Sequence, residues 1–249
     1  PLSSDRATAR RRYSAGAELT VRLITGALSL FGKKVEVALA EKGIPYERML
    51  APFTQTKGYS PKHPRVTAHN PKGEVPVLFD GDLVLYDSTV IVEYLEDLRP
   101  HPALFPASPA ERARCRLLEL YADEVILTSI RPLMHRNEPG APTRADWAAR
   151  ETAAAPSIAA LQTHFAKTEA ELAAGDYLCG DFSAADIATF LQYFYAQRLG
   201  GPSMKSFARL MAWYRRVRSR PTVASVVAET LETDARLSAP VEGAHKDGD

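Results

Sequence analysis

The apolar residues of this chain change their spacing once, at a proline-rich segment over residues 99–109. Before this linker, segments of alternating apolar and polar residues are interleaved with segments at helical spacing, whereas after it only helical spacing is found. Alternating strands and helices favour a mixed sheet with helices packed on it, and helices alone favour a bundle. The sequence therefore predicts an α/β domain over residues 19–98 and an all-α domain over residues 110–232.

The two ends of the chain are predicted to lie outside these domains. Residues 1–18, PLSSDRATARRRYSAGAE, carry four arginines and few large apolar groups, a composition typical of disorder. We predict a disordered leader there, with an Arg- and Ser-rich transit peptide as the alternative. Residues 233–249 end in AHKDGD and are predicted to form a flexible tail.

The charge balance and the hydropathy argue against two classes of partner. Lys plus Arg is 31 and Asp plus Glu is 30, so no basic field attracts nucleic acid. No apolar run approaches the roughly 20 residues that a membrane-spanning helix needs, so no membrane partner is predicted. Cys115 and Cys179 show no CxxC spacing, which suits a reducing compartment, and the histidines show no metal-binding spacing. We predict a cytoplasmic protein without a metal.

Within the first domain the predicted order is strand, helix, strand, loop, hairpin and helix. Leu19–Ile24 forms the first strand, and the helix FGKKVEVALAEKG stops at Gly43. YERMLA follows as a second strand, and residues 52–69 form a loop with room for one short helix. The crossover helix makes the first two strands parallel, whereas Asp80-Gly81 closes an antiparallel hairpin, VPVLFDGDLVLYD. The helix STVIVEYLEDL ends the domain.

The second domain is predicted to consist of helices alone. Helical spacing indicates a long helix over residues 110–136 with a kink at Pro132. Three further helices follow, over residues 156–173, from GDFSAADI, and over residues 205–219, and a last short helix begins at Pro221. At GDFSAADI, Ser183 and Asp186 form an acidic capping box, and Phe182 and Ile187 are spaced for a hydrophobic staple. These features specify the start of a helix. We expect Trp213 to lie in the core of the bundle.

One proline interrupts this pattern, in the hairpin segment EVPVLFDGDLVLYDS. Pro76 has no N–H to donate to a neighbouring strand, so within a sheet it belongs at an edge, at a strand start or at a bulge. It nevertheless lies between Val75 and Val77, at the head of a strand whose apolar residues indicate burial. A trans proline that blunts an edge strand is one explanation of this position, and the pattern alone gives no other.

Five features occur in an order and a spacing typical of one family. They are a serine between a strand and a helix, Ser29; the turn and Val-Pro pair of NPKGEVPVL; Asp87-Ser88 at a helix start; the helix start GDFSAADI; and the late helix FARLMAWYRRVRSRP. From about residue 19 to residue 231 the chain resembles the glutathione transferases, in particular the serine-type, theta-like bacterial members. The resemblance implies a thioredoxin-like α/β N-terminal domain followed by an all-α helical bundle.

The resemblance also implies that Ser29 is the catalytic residue. Its hydroxyl would donate a hydrogen bond to the sulfur of glutathione, the co-substrate, and so favour the thiolate over the thiol. The thiolate would then attack a hydrophobic electrophile, as in detoxification. A serine at a helix start can also be a plain N-cap, and that interpretation stays open. A hydrolase nucleophile is rejected, because GALSLFG lacks the Gly-x-Ser-x-Gly elbow.

Further residues are assigned to glutathione binding by the same resemblance. It implies a cis peptide bond before Pro76 and pairing of the Val75 backbone with the cysteinyl backbone of glutathione. Asp87 and Ser88 would bind the γ-glutamyl ammonium and carboxylate, although relatives often have Glu in place of Asp87. Lys62, or Lys57, would pair with the glycyl carboxylate, with a solvated surface lysine as the alternative.

The resemblance leaves the activity open at several points. It implies a homodimer, and dehalogenation and ether cleavage stay possible, whereas isomerisation is disfavoured because Leu28-Ser29-Leu30 replaces a Ser-Ser-Cys run. The alternative is a non-catalytic binding or regulatory protein with the same fold. Thiol–disulfide exchange at the glutathione sulfur is disfavoured, because Cys115 and Cys179 belong to the helical half.

Overall fold

The computed structural model describes residues 21–140, 143–172 and 175–247. The predicted leader over residues 1–18 and the first two residues of the predicted first strand lie outside the described residues. The chain divides into two compact units between Leu104 and Phe105, which is within the predicted linker.

The first unit is a small mixed sheet with helices, as predicted. Its elements are β1 (Val21–Thr25), α1 (Leu30–Glu41), β2 (Glu47–Leu50), α2 (Pro64–His69), β3 (Val77–Asp80), β4 (Leu83–Tyr86) and α3 (Ser88–Leu98). The four strands form one sheet in the order β2-β1-β3-β4. β1 pairs with β2 in parallel and with β3 antiparallel, and β3 and β4 form the predicted hairpin.

The two central strands hold the apolar centre of this unit. Side chains on both faces of these strands are fully buried, namely Val21, Leu23, Ile24, Val77 and Leu78. Central strands are covered on both faces, which is why their sequence is almost continuously apolar. The edge strand β4 is more exposed, with Leu83 and Tyr86 at 42% and 37% of their full accessibility.

Helix α1 carries charges into the interior of this unit. Lys33 and Glu36 are buried, and the Lys33 ammonium lies 3.1 Å from the Glu36 carboxylate. Lys42, at the C-cap, pairs with Glu96 of α3. The helix stops at Gly43, whose φ of +59° is in the left-handed region, as the sequence predicts. Because a buried charge without a partner is costly, these pairs fix how α1 lies against its neighbours.

The second unit contains only helices among the described residues, together with one isolated bridge between Cys179 and Asp181. Its elements are α4 (Pro109–Leu120), a π-helical turn (Tyr121–Ile126), α5 (Leu127–Ile130), a 3-10 helix (Arg131–Asn137), α6 (Arg144–Glu171), α7 (Ala184–Arg198), α8 (Ala208–Arg218) and α9 (Pro221–Leu237).

Three of these helices differ from the prediction. The long first helix is broken into four pieces, and at Pro132 the chain adopts the narrower 3-10 form in place of a simple kink. Helix α6 begins at Arg144, where Thr143 accepts from the Asp146 N–H, and it continues through Pro156. Helix α9 is long and passes residue 232, the predicted end of the domain.

The chain beyond α9 also makes contacts in the second unit. The Ala239 N–H donates to the Asn137 carbonyl at 3.0 Å, and the His245 N–H donates to the Gln197 carbonyl at 2.9 Å. Asp247 is buried and accepts from the Ser203 hydroxyl at 2.7 Å. The predicted tail thus includes residues that fold onto the bundle. The sequence pattern missed this, because polar segments held by backbone hydrogen bonds show no apolar periodicity.

Asp186 organises the second unit. The capping box is formed, since the Asp186 carboxylate accepts from the Ser183 N–H at 2.9 Å. The same carboxylate accepts from the Leu178 N–H at 3.0 Å and from the Trp213 indole N–H at 2.7 Å. Asp186 and Trp213 are both fully buried. Burial raises the pKa of Asp186, and these donors oppose the rise.

In the described part of the chain, no helix combines the length and the apolar character required to cross a bilayer.

We predict that Asp186→Ala destabilises the protein by about 3 kcal/mol, because it leaves several buried donors without an acceptor. Asp176 is the matched control, since its side chain is 75% exposed and pairs with Arg216 at the surface. Asp176→Ala should cost less than about 0.5 kcal/mol. Urea unfolding followed by circular dichroism measures both values, and equal losses would contradict the organising role of Asp186.

Candidate functional site

The strand register brings three turns to one end of the sheet. β1 and β3 are antiparallel with Ile24 opposite Val77, so the residues after β1 lie beside the residues before β3. β3 and β4 are antiparallel with Val77 opposite Tyr86, so the residues after β4 lie there as well. The segments that hold Ser29, Val75-Pro76 and Asp87-Ser88 therefore emerge at a common end, which we call the sheet-end site.

Ser29 is the N-cap of α1 and is buried, with 8% of its surface exposed. Its hydroxyl oxygen accepts from the Gly32 N–H at 3.1 Å, and its own N–H donates to the Gly26 carbonyl at 3.1 Å. A hydroxyl that accepts one hydrogen bond still carries a proton to donate. The helix-cap interpretation therefore describes the geometry, and it leaves the donor function available.

The backbone around Ser29 is packed closely on both sides. A Cβ atom at Gly26 would lie 1.8 Å from the Tyr59 hydroxyl, and one at Gly32 would lie 2.1 Å from the Thr25 hydroxyl. Only glycine fits at these two positions without movement of its neighbours. Tyr59 was not among the predicted site residues, because nothing in the loop sequence places its ring against Gly26.

The Val75–Pro76 segment is held by the turn that precedes it. The Asn70 side-chain amide donates to the Glu74 carbonyl at 2.7 Å, and the Asn70 side-chain oxygen accepts from the Lys72 N–H at 2.9 Å. The Val75–Pro76 peptide bond is cis. In the described residues, no turn or loop hydrogen bond uses the N–H or the C=O of Val75. Both groups can therefore pair with an extended ligand backbone.

Asp87 and Ser88 form the start of α3. Asp87 has a φ of +74°, in the left-handed region that few non-glycine residues adopt. Its carboxylate accepts from the Thr89 N–H at 3.1 Å, and its other oxygen lies 3.4 Å from the Lys72 ammonium. Ser88 is the first residue of the helix and is buried. The positive end of a helix dipole favours an anion at this position.

Two lysines that the sequence analysis did not assign adjoin this helix start. Lys72 pairs with Asp87, as above. Lys34 is buried on α1, and its ammonium donates to the Thr89 hydroxyl at 3.0 Å. A lysine within an amphipathic helix is typical of a solvated surface, so its spacing gave no signal that it reaches α3. These two contacts place the ammonium groups of Lys34 and Lys72 beside the start of α3.

The two predicted glycyl-carboxylate lysines are exposed. The Lys62 side chain passes the turn before Val75, since its Cε atom would lie 3.9 Å from a Cβ atom at Gly73. The Lys57 backbone N–H donates to the Thr54 hydroxyl at 3.1 Å. The Lys62 side chain thus lies beside the turn that precedes Val75.

The arrangement is suited to an extended anionic ligand. It combines a hydroxyl donor, a free backbone donor–acceptor pair, two helix N-termini and several lysines. In the residues that the structure describes, no group of three or more His, Cys, Asp or Glu side chains could hold a metal ion.

Family comparisons match both units. The glutathione S-transferase N-terminal domain profile matches residues 28–98, and the C-terminal domain profile matches residues 117–221. The chain belongs to the glutathione S-transferase family. Glutathione S-transferase GstB of Escherichia coli K12 is 32% identical to it over 199 residues, which cover 78% of this chain and 91% of GstB.

Some relatives of this chain are not named as transferases. The stringent starvation protein A homolog of Coxiella burnetii is 39% identical over 98 residues, or 39% of this chain. That match covers 43% of the relative, and three further homologs of the same name are covered to between 46% and 50%. The chain thus spans about half the length of these relatives.

Two solved structures superpose on most of this chain. The theta class glutathione S-transferase of Xanthomonas axonopodis pv. citri, with glutathione bound, superposes with a TM-score of 0.69 and 27% identity, covering 84% of this chain and 97% of that one. FzlA from C. crescentus superposes with a TM-score of 0.72 and 25% identity, covering 92% and 98%. The family and the predicted fold are therefore confirmed.

We predict that the left-handed backbone of Asp87 decides which substitutions are tolerated there. Asp87→Asn should change stability by less than about 0.5 kcal/mol, because asparagine adopts this backbone and can still accept from the Thr89 N–H. Asp87→Ala should cost about 1–2 kcal/mol, because the cap is lost and the backbone is strained. Chemical unfolding measures the difference. Equal stabilities of the two variants would contradict it.

Proposed function

We propose that this protein is a glutathione transferase that binds glutathione at the sheet-end site and ionises its thiol with Ser29. The observation that carries the proposal is the Ser29 hydroxyl, which is buried, fixed by the Gly32 N–H at 3.1 Å and still able to donate its proton. A donor already fixed in place loses little entropy when it binds a developing anion.

The proposed chemistry is stabilisation of a thiolate. A free thiol titrates near pH 8.5, and each unit by which its pKa falls corresponds to about 1.4 kcal/mol. A hydroxyl donor and the positive end of α1 act in the same direction, because both favour the charged form. The thiolate then forms a new carbon–sulfur bond with a hydrophobic electrophile. In a substitution the leaving group departs with the electron pair of the broken bond, and in an addition the π pair of the attacked double bond takes up the negative charge.

The proposed binding mode uses the rest of the sheet-end site. The Val75 N–H and C=O pair with the cysteinyl backbone of glutathione. The γ-glutamyl carboxylate binds at the start of α3, where the Ser88 hydroxyl donates to it, and the Asp87 carboxylate accepts from the γ-glutamyl ammonium. Lys62 pairs with the glycyl carboxylate. The lysines at this end attract both carboxylates over a longer range.

A role in detoxification in the cytoplasm belongs to the same proposal. The described cysteines, Cys115 and Cys179, are free thiols, which is the ordinary state in a reducing compartment.

We propose further that the protein is a homodimer. Large apolar side chains are exposed on helices of both units, including Val90 at 50%, Leu117 at 65% and Leu120 at 55%. Exposed apolar side chains on neighbouring turns favour burial against a second chain. Sedimentation velocity at micromolar concentration should give the mass of two chains, reduced toward one chain by Leu117→Asp/Leu120→Asp. A single-chain mass for the parent protein would contradict this prediction.

A second candidate function is a non-catalytic partner protein. It is favoured by the relatives named stringent starvation protein A, because that name refers to no transferase reaction. A further relative, the FtsZ-localized protein A of Caulobacter vibrioides, is 28% identical over 214 residues. On this alternative the fold is kept for a protein surface, and the Ser29 hydroxyl acts as a helix cap alone.

We predict that glutathione bound to the parent protein shows the ultraviolet absorbance of a thiolate with a midpoint at least about one pH unit below that of free glutathione. Ser29→Ala should still bind glutathione, because the other contacts are kept, but its thiolate midpoint should move upward. The variant should lose only about 1 kcal/mol of stability with the cap.

Ser108→Ala is the matched control for this experiment. Ser108 is also a helix N-cap, at the start of α4, and its side chain makes no capping hydrogen bond. Its substitution should leave the thiolate midpoint unchanged. Bound glutathione without a thiolate would reject Ser29 as the catalytic residue, and a failure to bind glutathione at all would favour the non-catalytic candidate.

A further inference from the structure

Two cysteines that play no part in the proposed transferase reaction meet in the second unit. Cys115 lies on α4 and is fully buried, whereas Cys179 lies in the segment before α7 and is half-buried. The residues just before them are joined directly, because the Arg114 guanidinium donates to the Leu178 carbonyl at 2.8 Å. The geometry therefore fixes α4 and this segment side by side.

Because Arg114 binds Leu178, the neighbouring residues Cys115 and Cys179 lie close enough for each thiol to be the hydrogen-bond partner of the other. The Cys115 sulfur also contacts the Ser183 hydroxyl and the Ala185 N–H. The Ser183 hydroxyl contacts the Cys179 sulfur as well. A pair of thiols in mutual contact at a helix N-terminus is the arrangement that supports a thiolate in one of the two positions.

The two thiols differ in their acidity. Hydrogen bonding to Cys179 and burial both raise the pKa of Cys115 above the ordinary range of a thiol. The hydrogen bond from Cys115 lowers the pKa of Cys179, and the nearby Arg114 acts in the same direction, while burial and Asp186 oppose them. Cys179 is also the more accessible of the two, and the next residue, Gly180, is exposed. The thiolate, and the point of entry for a reagent, is Cys179.

We propose that Cys115 and Cys179 form a reversible intrachain disulfide by exchange with a small-molecule disulfide such as glutathione disulfide. This inference uses no residue of the sheet-end site and does not depend on the transferase activity. It makes the pair a redox modification site in the helical unit.

The exchange proceeds in two displacements. The Cys179 thiolate attacks one sulfur of glutathione disulfide, a protein–glutathione disulfide forms, and the first glutathione leaves as its thiolate. The Cys115 thiol then loses its proton to solvent and attacks the Cys179 sulfur, and the second glutathione leaves as its thiolate. In total two protein thiols are oxidised to one disulfide and one glutathione disulfide is reduced to two molecules of glutathione.

The bond would reinforce a part of the unit that already depends on local hydrogen bonds. Leu178, next to Cys179, donates its N–H to Asp186, the carboxylate that also binds Trp213. A crosslink from α4 to this segment closes a long loop of the chain and so restricts the unfolded state. Oxidation should therefore raise Tm by about 5 °C.

The test uses the full chain incubated with mixtures of glutathione and glutathione disulfide at pH 7.5. Non-reducing peptide mapping by mass spectrometry should find one intrachain link between the Cys115 and Cys179 peptides, removed by excess glutathione, together with the rise in Tm. A parent protein that stays fully reduced in glutathione disulfide alone, or that links only after denaturation or only between chains, would overturn the proposal.

Single variants separate the roles of the two thiols. Cys115→Ser should accumulate one stable glutathione adduct at Cys179, because the second displacement cannot occur. Cys179→Ser should form no adduct, because Cys115 is buried. Iodoacetamide should modify the remaining Cys115 of that variant at least about tenfold more slowly than it modifies Cys179 in the Cys115→Ser variant. Circular dichroism checks that each variant is folded. If a variant is unfolded, the peptide map and the Tm of the parent protein decide alone. An adduct that forms equally on both folded variants would contradict the assignment.

Discussion

The antiparallel pairing of β1, β3 and β4 is the constraint on which the sheet-end site depends. Ile24 lies opposite Val77, and Val77 lies opposite Tyr86, so three turns that are distant in the sequence meet at one end of a four-stranded sheet. A slip of one residue would exchange the two faces of each central strand and misalign its buried side chains with the elements that pack on them. The burial of Val21, Leu23 and Val77 therefore also positions Ser29 and Ser88.

Capping and catalysis are compatible at Ser29, because they use different parts of one hydroxyl. The oxygen accepts from the Gly32 N–H, which fixes its position, and the proton remains for a ligand. Asp87 shows a comparable double use at the start of α3, where it caps the Thr89 N–H and pairs with Lys72. In both places the start of a helix supplies the geometry, and the proposed function adds a ligand to it.

Much of the fold could be predicted from residues whose effect is local. The Asp80-Gly81 turn between β3 and β4, Gly43 after α1 and the capping box of Ser183 and Asp186 each act within a few positions of the chain, so their spacing is visible in the sequence. The contacts that could not be predicted join distant segments. Lys34 reaches Thr89, Tyr59 lies against Gly26, and Asp186 accepts from Trp213, and none of these pairs has a spacing that announces it. The break in the first helix of the second unit was missed for a similar reason, because the apolar spacing continues through the π-helical turn.

The central claim is that the sheet-end site binds glutathione, and amide chemical-shift perturbation by NMR tests it most directly. Titration of the isotope-labelled full chain with glutathione should move the resonances of residues 26–32, 73–77 and 86–89, with the largest changes at Ser29, Val75 and Ser88. Shifts confined to other residues, or no shifts at millimolar glutathione, would contradict the account.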